Sequence, residues 1–386
     1  MLRAHYTRVA VVQLAFHPAA LVERASPRED PLYDASAPRS SLLPGDGQFP
    51  RALAEDLKDL KARIRELHDA QLMAKLAAIL TACRAWGAQL VVLPEYSLAC
   101  EQLPALARHA GAMTVVAGTH AVDRRARQRG VYQALGWPKD QLPPVGAAAC
   151  PVLADGRLIA LQLKLHAAQP ERDLTLGASW RPVTFGALSS IPGPMGVMPC
   201  LDFLRRDAAF GEQLDACRFL ALPSYSPDYT LGTRAARVWD EARRYGRPVL
   251  YADHAGSGGT SVYVDEARVY ELRDYPRRAD HLEPGDEGVI VADVDLGFHR
   301  GAPAKSLFTS PPVVPFAAAS LVYRNHPVEA AYARWQAQLD AALADAGADG
   351  LAGALDFVEA HKELLLQVAG LPGAQARARR LRRLLD

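Results

Sequence analysis

The chain has 386 residues, half of them apolar (49%), which suffices for one large core or two ordinary ones. The formal net charge is +1, giving no general attraction to nucleic acid or to an anionic membrane. No run of about 18 apolar residues occurs and the N-terminus lacks a signal-peptide core, so a soluble, cytoplasmic protein is expected.

Val9 to Leu14 reads as a buried first strand. Residues 17–50 break the pattern with prolines at 18, 27, 31, 38, 44 and 50, and read as an irregular insertion. Leucines and isoleucines from Leu53 to Leu80 recur at helical spacing, so a helix is predicted from Ala52 to Trp86, stopped by Gly87. An apolar strand then delivers Glu95. A helix over about 101–110 and a strand over 113–118 come next. An extended stretch from about 146 to 163 comes after them, with a hairpin turn at Asp155-Gly156. That stretch delivers Lys164. Further strands are expected near 182–187 and 195–199, the latter ending in Cys200, and then a helix near 203–214. The remaining pattern predicts strands at 218–222, 248–252 and 288–294, a helix at 233–245, and two strands flanking a turn at 265–267. Strands and helices alternate to about residue 300, which argues an α/β domain with a large buried sheet or pair of sheets. After 326 the chain reads as alanine-rich helix with an arginine-rich end. Two regions are therefore expected: 1–325, carrying the 17–50 insertion, and a helical extension at 326–386.

Three segments share one layout: an apolar strand ending in a reactive group. Glu95 is a carboxylate, Lys164 an ammonium and Cys200 a thiol. Of 44 basic residues only seven are lysine, so Lys164 stands out in a chain that uses arginine where charge alone is wanted; the bias itself reads as GC-rich bacterial coding. Five cysteines, an odd number without zinc spacing, indicate a reducing compartment. Cys83, Cys150 and Cys217 read as small buried hydrophobes, and Cys100, just past Glu95, stays ambiguous. Base, cation and thiol together are the parts of a cysteine amidohydrolase.

In that order the residues resemble the nitrilase superfamily, the carbon–nitrogen hydrolases. Leu93-Pro94-Glu95-Tyr96, Leu163-Lys164-Leu165-His166 and Cys200-Leu201-Asp202 resemble its three motifs, and Gln13, Arg234–Tyr245 and Ala252–Gly256 fit their surroundings. The resemblance implies an α-β-β-α sandwich with two facing sheets, assembled as a homodimer or higher homo-oligomer. It implies Glu95 as base, Lys164 and the Leu201 N–H as oxyanion partners, Cys200 as nucleophile, and no metal or cofactor. Glu171 is the candidate second glutamate, orienting the lysine or the water. Tyr96, His120, Ser224, Tyr225 and His254 are candidate substrate contacts. The expected reaction is hydrolysis of a small amide, with N-carbamoyl or nitrile substrates as alternatives. A rival reading is a non-catalytic or partner-regulated binding module of this fold in a bacterial stress or defence complex. The chain departs from the usual pattern at Leu201, Leu204 and Asp253, which bears on substrate more than on chemistry.

Overall fold

The computed structural model describes residues 6–15, 69–70, 72–122, 124–168, 171, 174–186, 189–205, 210–226, 238, 240, 246–256, 258–264, 282, 286–297 and 313–320. The chain divides into two compact units, Met1–Ala15 with Met73–Val322, and Phe16–Leu72 with Tyr323–Asp386. The expectations for 17–50 and 326–386 lie outside the described residues, as do most of the helix at 233–245 and the second strand of the 265–267 hairpin. The reactive residues all belong to the first unit.

That unit is α/β, with two sheets. The larger has strands β1 (Thr7–Gln13), β2 (Leu90–Val92), β3 (Thr114–Val116), β4 (His120–Ala121), β5 (Ala148–Ala154), β6 (Arg157–Leu163), β11 (Gly288–Val294) and β12 (Val313–Ser320). Its order is β12-β11-β1-β2-β3-β5-β4, with β6 also paired to β5. The smaller sheet runs β10 (Ser261–Tyr263), β9 (Val249–Ala252), β8 (Phe219–Pro223) and β7 (Met195–Val197). β1-β2-β3 and β7-β8-β9 are parallel.

Side chains alternate between strand faces, and here both faces are covered, which is why the strands read as continuous apolar runs. One set of alternate residues forms a core shared by both sheets: Val9 and Val11, Leu90 and Val92, Cys150 and Val152 from the larger, Met195 and Val197, Phe219 and Ala221, Leu250 and Ala252 from the smaller. The other set on β8 and β9, Leu220, Leu222, Val249 and Tyr251, packs outward on Phe203, Phe210, Leu214 and Val238, which cover that face. Each fully buried aliphatic side chain stabilises the fold by about 1.5–3 kcal/mol, so this double layer is the main source of stability.

Most predicted boundaries hold within a residue or two. The helix over 73–85 ends before Gly87, which takes φ +74° as a left-handed terminator. Asp155 and Gly156 both have positive φ, the signature of a two-residue hairpin whose twist matches its strands. Three expectations are corrected. Among the described residues of the 182–187 segment there is a single bridge, Val183 to Met195, and no strand. The helix expected at 203–214 is two short ones, Leu201–Leu204 and Gly211–Asp215. β12 was not foreseen: Pro315 interrupts the valines and Phe316, and three alanines follow, but a proline is tolerated at the sheet's edge.

Candidate active site

Glu95, Lys164 and Cys200 each leave the end of a strand, as expected, and the packed sheets bring those ends together. After β2 the chain continues through Leu93, whose N–H donates to the Val116 carbonyl at 2.9 Å. Pro94 then passes so close to Gly118 (φ +72°) that a Cβ there would lie 2.0 Å from the Pro94 carbonyl oxygen. The Glu95 N–H reaches across to the Ser224 carbonyl of the other sheet at 3.2 Å, and Tyr96, at φ +60°, donates its N–H to the Thr119 carbonyl at 2.9 Å. Lys164 ends β6, its N–H bound to the Ala148 carbonyl at 2.9 Å. Cys200 prolongs the β7–β8 ladder through its N–H to the Pro223 carbonyl at 2.8 Å. It then turns at φ +41°, ψ −98° into the helix Leu201–Leu204. A non-glycine residue held in that region is strained, and such strain gathers at functional turns.

Lys164 is wholly buried. Its Nζ donates to Glu95 Oε1 at 2.7 Å and to Glu171 Oε1 at 2.6 Å. Glu171 also accepts the Tyr96 hydroxyl on Oε1 and the Ala168 N–H on Oε2, the latter at 2.6 Å. Two carboxylates thus share one ammonium in a dry site. Burial pushes the Glu95 carboxyl up to about 7; Lys164 pulls against it, Glu171 adds to it, and the facing Thr119 hydroxyl favours the ionised form. For Lys164, burial favours the neutral amine but is outweighed by Glu95, Glu171 and the nearby Cys200 sulfur, so the ammonium is held above the ordinary lysine range. Tyr96 is pushed well above the ordinary phenol range by burial and the two carboxylates. The result is a carboxyl poised to exchange protons near neutrality beside a fixed positive charge and a thiol.

Cys200 is 7% exposed and its Sγ lies 3.6 Å from the Tyr225 carbonyl. The Tyr225 ring tilts against His254 at 5.0 Å between centroids. His254 Nδ1 accepts the Gly256 N–H at 3.0 Å, which puts the ring proton on Nε2. The Ser224 hydroxyl bonds to Ser226 at 3.0 Å. His120 Nε2 bonds to the Tyr132 hydroxyl at 2.7 Å, and that hydroxyl accepts the Cys100 thiol at 3.2 Å. The Tyr96 hydroxyl donates to Glu171. Leu201 opens the short helix that follows Cys200.

Sequence reasoning gave no role to Thr119, Tyr132, His166 or Asp202. Only His166 and Asp202 carried a signal, their places in the Lys164 and Cys200 motifs. All five cysteines are free; burial pushes Cys83 and Cys217 up to about 12 and Cys150 higher still, so these three behave as inert core thiols. Among the described residues no group of three or more His, Cys, Asp or Glu is placed to hold a metal, and no helix is long and apolar enough to cross a membrane.

No protein-family model and no curated protein matches the sequence. Among solved structures, the chain is similar to a glutamine-dependent NAD+ synthetase from Acinetobacter baumannii, at 12% identity and TM-score 0.43, covering 78% of this chain and 49% of that one. It thus spans about half the length of that synthetase. A mutant of the Nesterenkonia AN1 amidase, from the nitrilase superfamily, aligns at 14% identity and TM-score 0.41, covering 76% of this chain and 92% of that one. The C. elegans NitFhit protein aligns at 15% identity and TM-score 0.39, covering 76% and 57%. These are weak overall likenesses.

Proposed function

We propose that this chain is a carbon–nitrogen hydrolase of the nitrilase superfamily that cleaves a small non-peptide amide through an acyl-cysteine. The observation that carries the proposal is the buried Lys164 ammonium, bound by Glu95 at 2.7 Å and Glu171 at 2.6 Å and lying close enough to Cys200 to feel its charge.

A free thiol, with a pKa near ~8.5, is mostly protonated at neutral pH, so it needs a base. Glu95, titrating at about 7, takes the Cys200 proton as Sγ attacks the amide carbon. The carbonyl π bond opens to an oxyanion, stabilised by the Lys164 ammonium and the Leu201 N–H. Glu95 passes its proton to the leaving nitrogen, the C–N bond breaks, and ammonia or an amine departs. Glu95 then takes a proton from water as hydroxide adds to the thioester; the carbonyl re-forms as the C–S bond breaks, Glu95 returns its proton to the sulfur, and the acid leaves with the thiol restored. Glu171 holds the lysine throughout. In the same reading the hydrolase spans residues 1–325 with 326–386 as an extension, works in the cytoplasm and assembles as a homo-oligomer. N-carbamoyl and nitrile substrates are the alternatives within this chemistry.

The test is ammonia release from acetamide, propionamide, butyramide and benzamide, followed with a coupled dehydrogenase, for the wild type and Cys200→Ala. Turnover that disappears in Cys200→Ala supports the proposal. Turnover that persists without the thiol defeats the acyl-cysteine chemistry; a folded wild type that releases ammonia from none of these, from an N-carbamoyl amino acid or from a nitrile defeats the proposal and favours the binding-module reading.

A further inference from the structure

Asp202 sits two residues past the nucleophile and is wholly buried, yet the chemistry above does not use it. Its carboxylate reaches to the chain that continues from Lys164. Oδ2 accepts the Leu165 N–H at 3.0 Å, with Oδ1 at 3.2 Å from the same donor. Oδ1 also accepts the His166 N–H at 2.8 Å and meets His166 Nδ1 at 2.9 Å. One carboxylate therefore gathers two successive backbone N–H groups and a ring nitrogen.

These donors belong to the larger sheet's β6 end, while Asp202 belongs to the helix on the smaller sheet. Leu165 is covalently next to the lysine, and Asp202 is in the first turn after the cysteine. A displacement of this joint moves Nζ relative to Sγ by a similar amount. Positioning errors of about 1 Å are enough to cost ~100-fold in rate. A carboxylate buried this completely is retained only where its donors compensate the lost hydration.

We propose that Asp202 is a positioning residue that straps the Lys164 arm to the nucleophile turn and so sets the distance from the ammonium to the forming oxyanion. The idea rests on the hydrolase reading for its kinetic consequence, but not for its structural one. Asp202→Asn leaves the side-chain volume while placing an NH2 donor against two N–H donors.

The first measurement is amide hydrogen exchange by mass spectrometry on the peptide spanning 163–168. Exchange is expected to rise at least about tenfold there in Asp202→Asn while β5 and β8 keep their protection. Beside it, kcat on the best amide is expected to fall by roughly 10- to 100-fold with KM within about threefold. Iodoacetamide alkylation of Cys200, which forms no oxyanion, should stay within about threefold of wild type. Unchanged exchange at 165–166 overturns the proposal. So do turnover and alkylation falling in parallel, the mark of general collapse. If Asp202→Asn fails to fold, Asp202→Glu, which keeps the charge and displaces it along a longer arm, is judged by the same exchange and kinetic criteria. The exchange readout needs no substrate: a wild type that hydrolyses no amide defeats the hydrolase reading, and exchange alone then decides the strap.

Discussion

Glu95→Gln separates the electrostatic cost of the site from its chemistry. In the folded chain Glu95 titrates at about 7 against an ordinary value of 4.5, and desolvation is the leading cause. A carboxyl whose folded pKa is raised binds its proton more tightly in the folded than in the unfolded chain. Its contribution to stability is complete below 4.5 and is lost as pH rises through about 7. The gap between the two values corresponds to ~3 kcal/mol, at about 1.4 kcal/mol per tenfold change in proton affinity. Lys164 does not alter this slope, because its ammonium, held above the ordinary lysine range, stays charged across the window.

The introduced amide has no proton to lose, so the variant should not share the decline. Urea unfolding at about pH 4.5 and about pH 8.5 gives the stability difference between variant and wild type at each pH. That difference should shift in favour of Glu95→Gln by up to about 3 kcal/mol between the two, a comparison in which any pH-independent packing cost cancels. At the same time kcat/KM for amide hydrolysis should drop by ~100- to 10,000-fold through loss of the base. A stability difference that does not move with pH would refute the argument that Glu95 is held near neutrality by burial.

Two further substitutions probe the backbone. At Cys200, φ +41° and ψ −98° suit glycine, so Cys200→Gly should be more stable than Cys200→Ala by ~1–2 kcal/mol in urea unfolding, with both inactive; equal midpoints would mean the turn carries no strain. Gly118→Ala would force a Cβ to 2.0 Å from the Pro94 carbonyl and should cost more than ~3 kcal/mol or prevent folding. A Gly118→Ala protein with wild-type midpoint and activity would show that the Glu95 loop has room to shift.

The reactive groups were legible because strands are legible. Leu90–Val92, Arg157–Leu163 and Met195–Val197 are apolar runs of strand length, and whatever ends such a run in a two-faced sheet emerges at its rim. Lys164 was marked further by the scarcity of lysine. The partners of these groups were not legible, since they meet across long intervals of sequence: Asp202 finds Leu165 over 37 residues, and Glu95 finds Ser224 over 129. Tyr132 joins Cys100 to His120 from a four-residue helix that no periodicity announces. Tyr96 follows Glu95 directly; its positive φ, invisible in sequence, accompanies the turn that takes its hydroxyl to Glu171. β12 escaped because Pro315 interrupts its run; at the sheet's edge, paired to β11, a strand tolerates a residue without an N–H.

The division of the site between sheets explains where the directional bonds lie. Glu95 and Lys164 come from the larger sheet and Cys200 from the smaller. The core between them is apolar and shared, and hydrophobic burial is non-directional, so by itself it holds the sheets together without fixing their register. Register is set at the rim instead. There the Glu95 N–H meets the Ser224 carbonyl at 3.2 Å, the Ala255 N–H meets the Leu14 carbonyl at 2.9 Å, and Leu165 and His166 meet Asp202. Each of these bonds crosses from one sheet to the other beside a reactive residue or at the neighbouring strand end. The polar groups that align the two layers are therefore concentrated where a misalignment would separate the Glu95 carboxyl, the Lys164 ammonium and the Cys200 thiol. Substitutions deep in the shared core should accordingly lower stability first, whereas substitutions at the rim should lower the rate before the fold gives way.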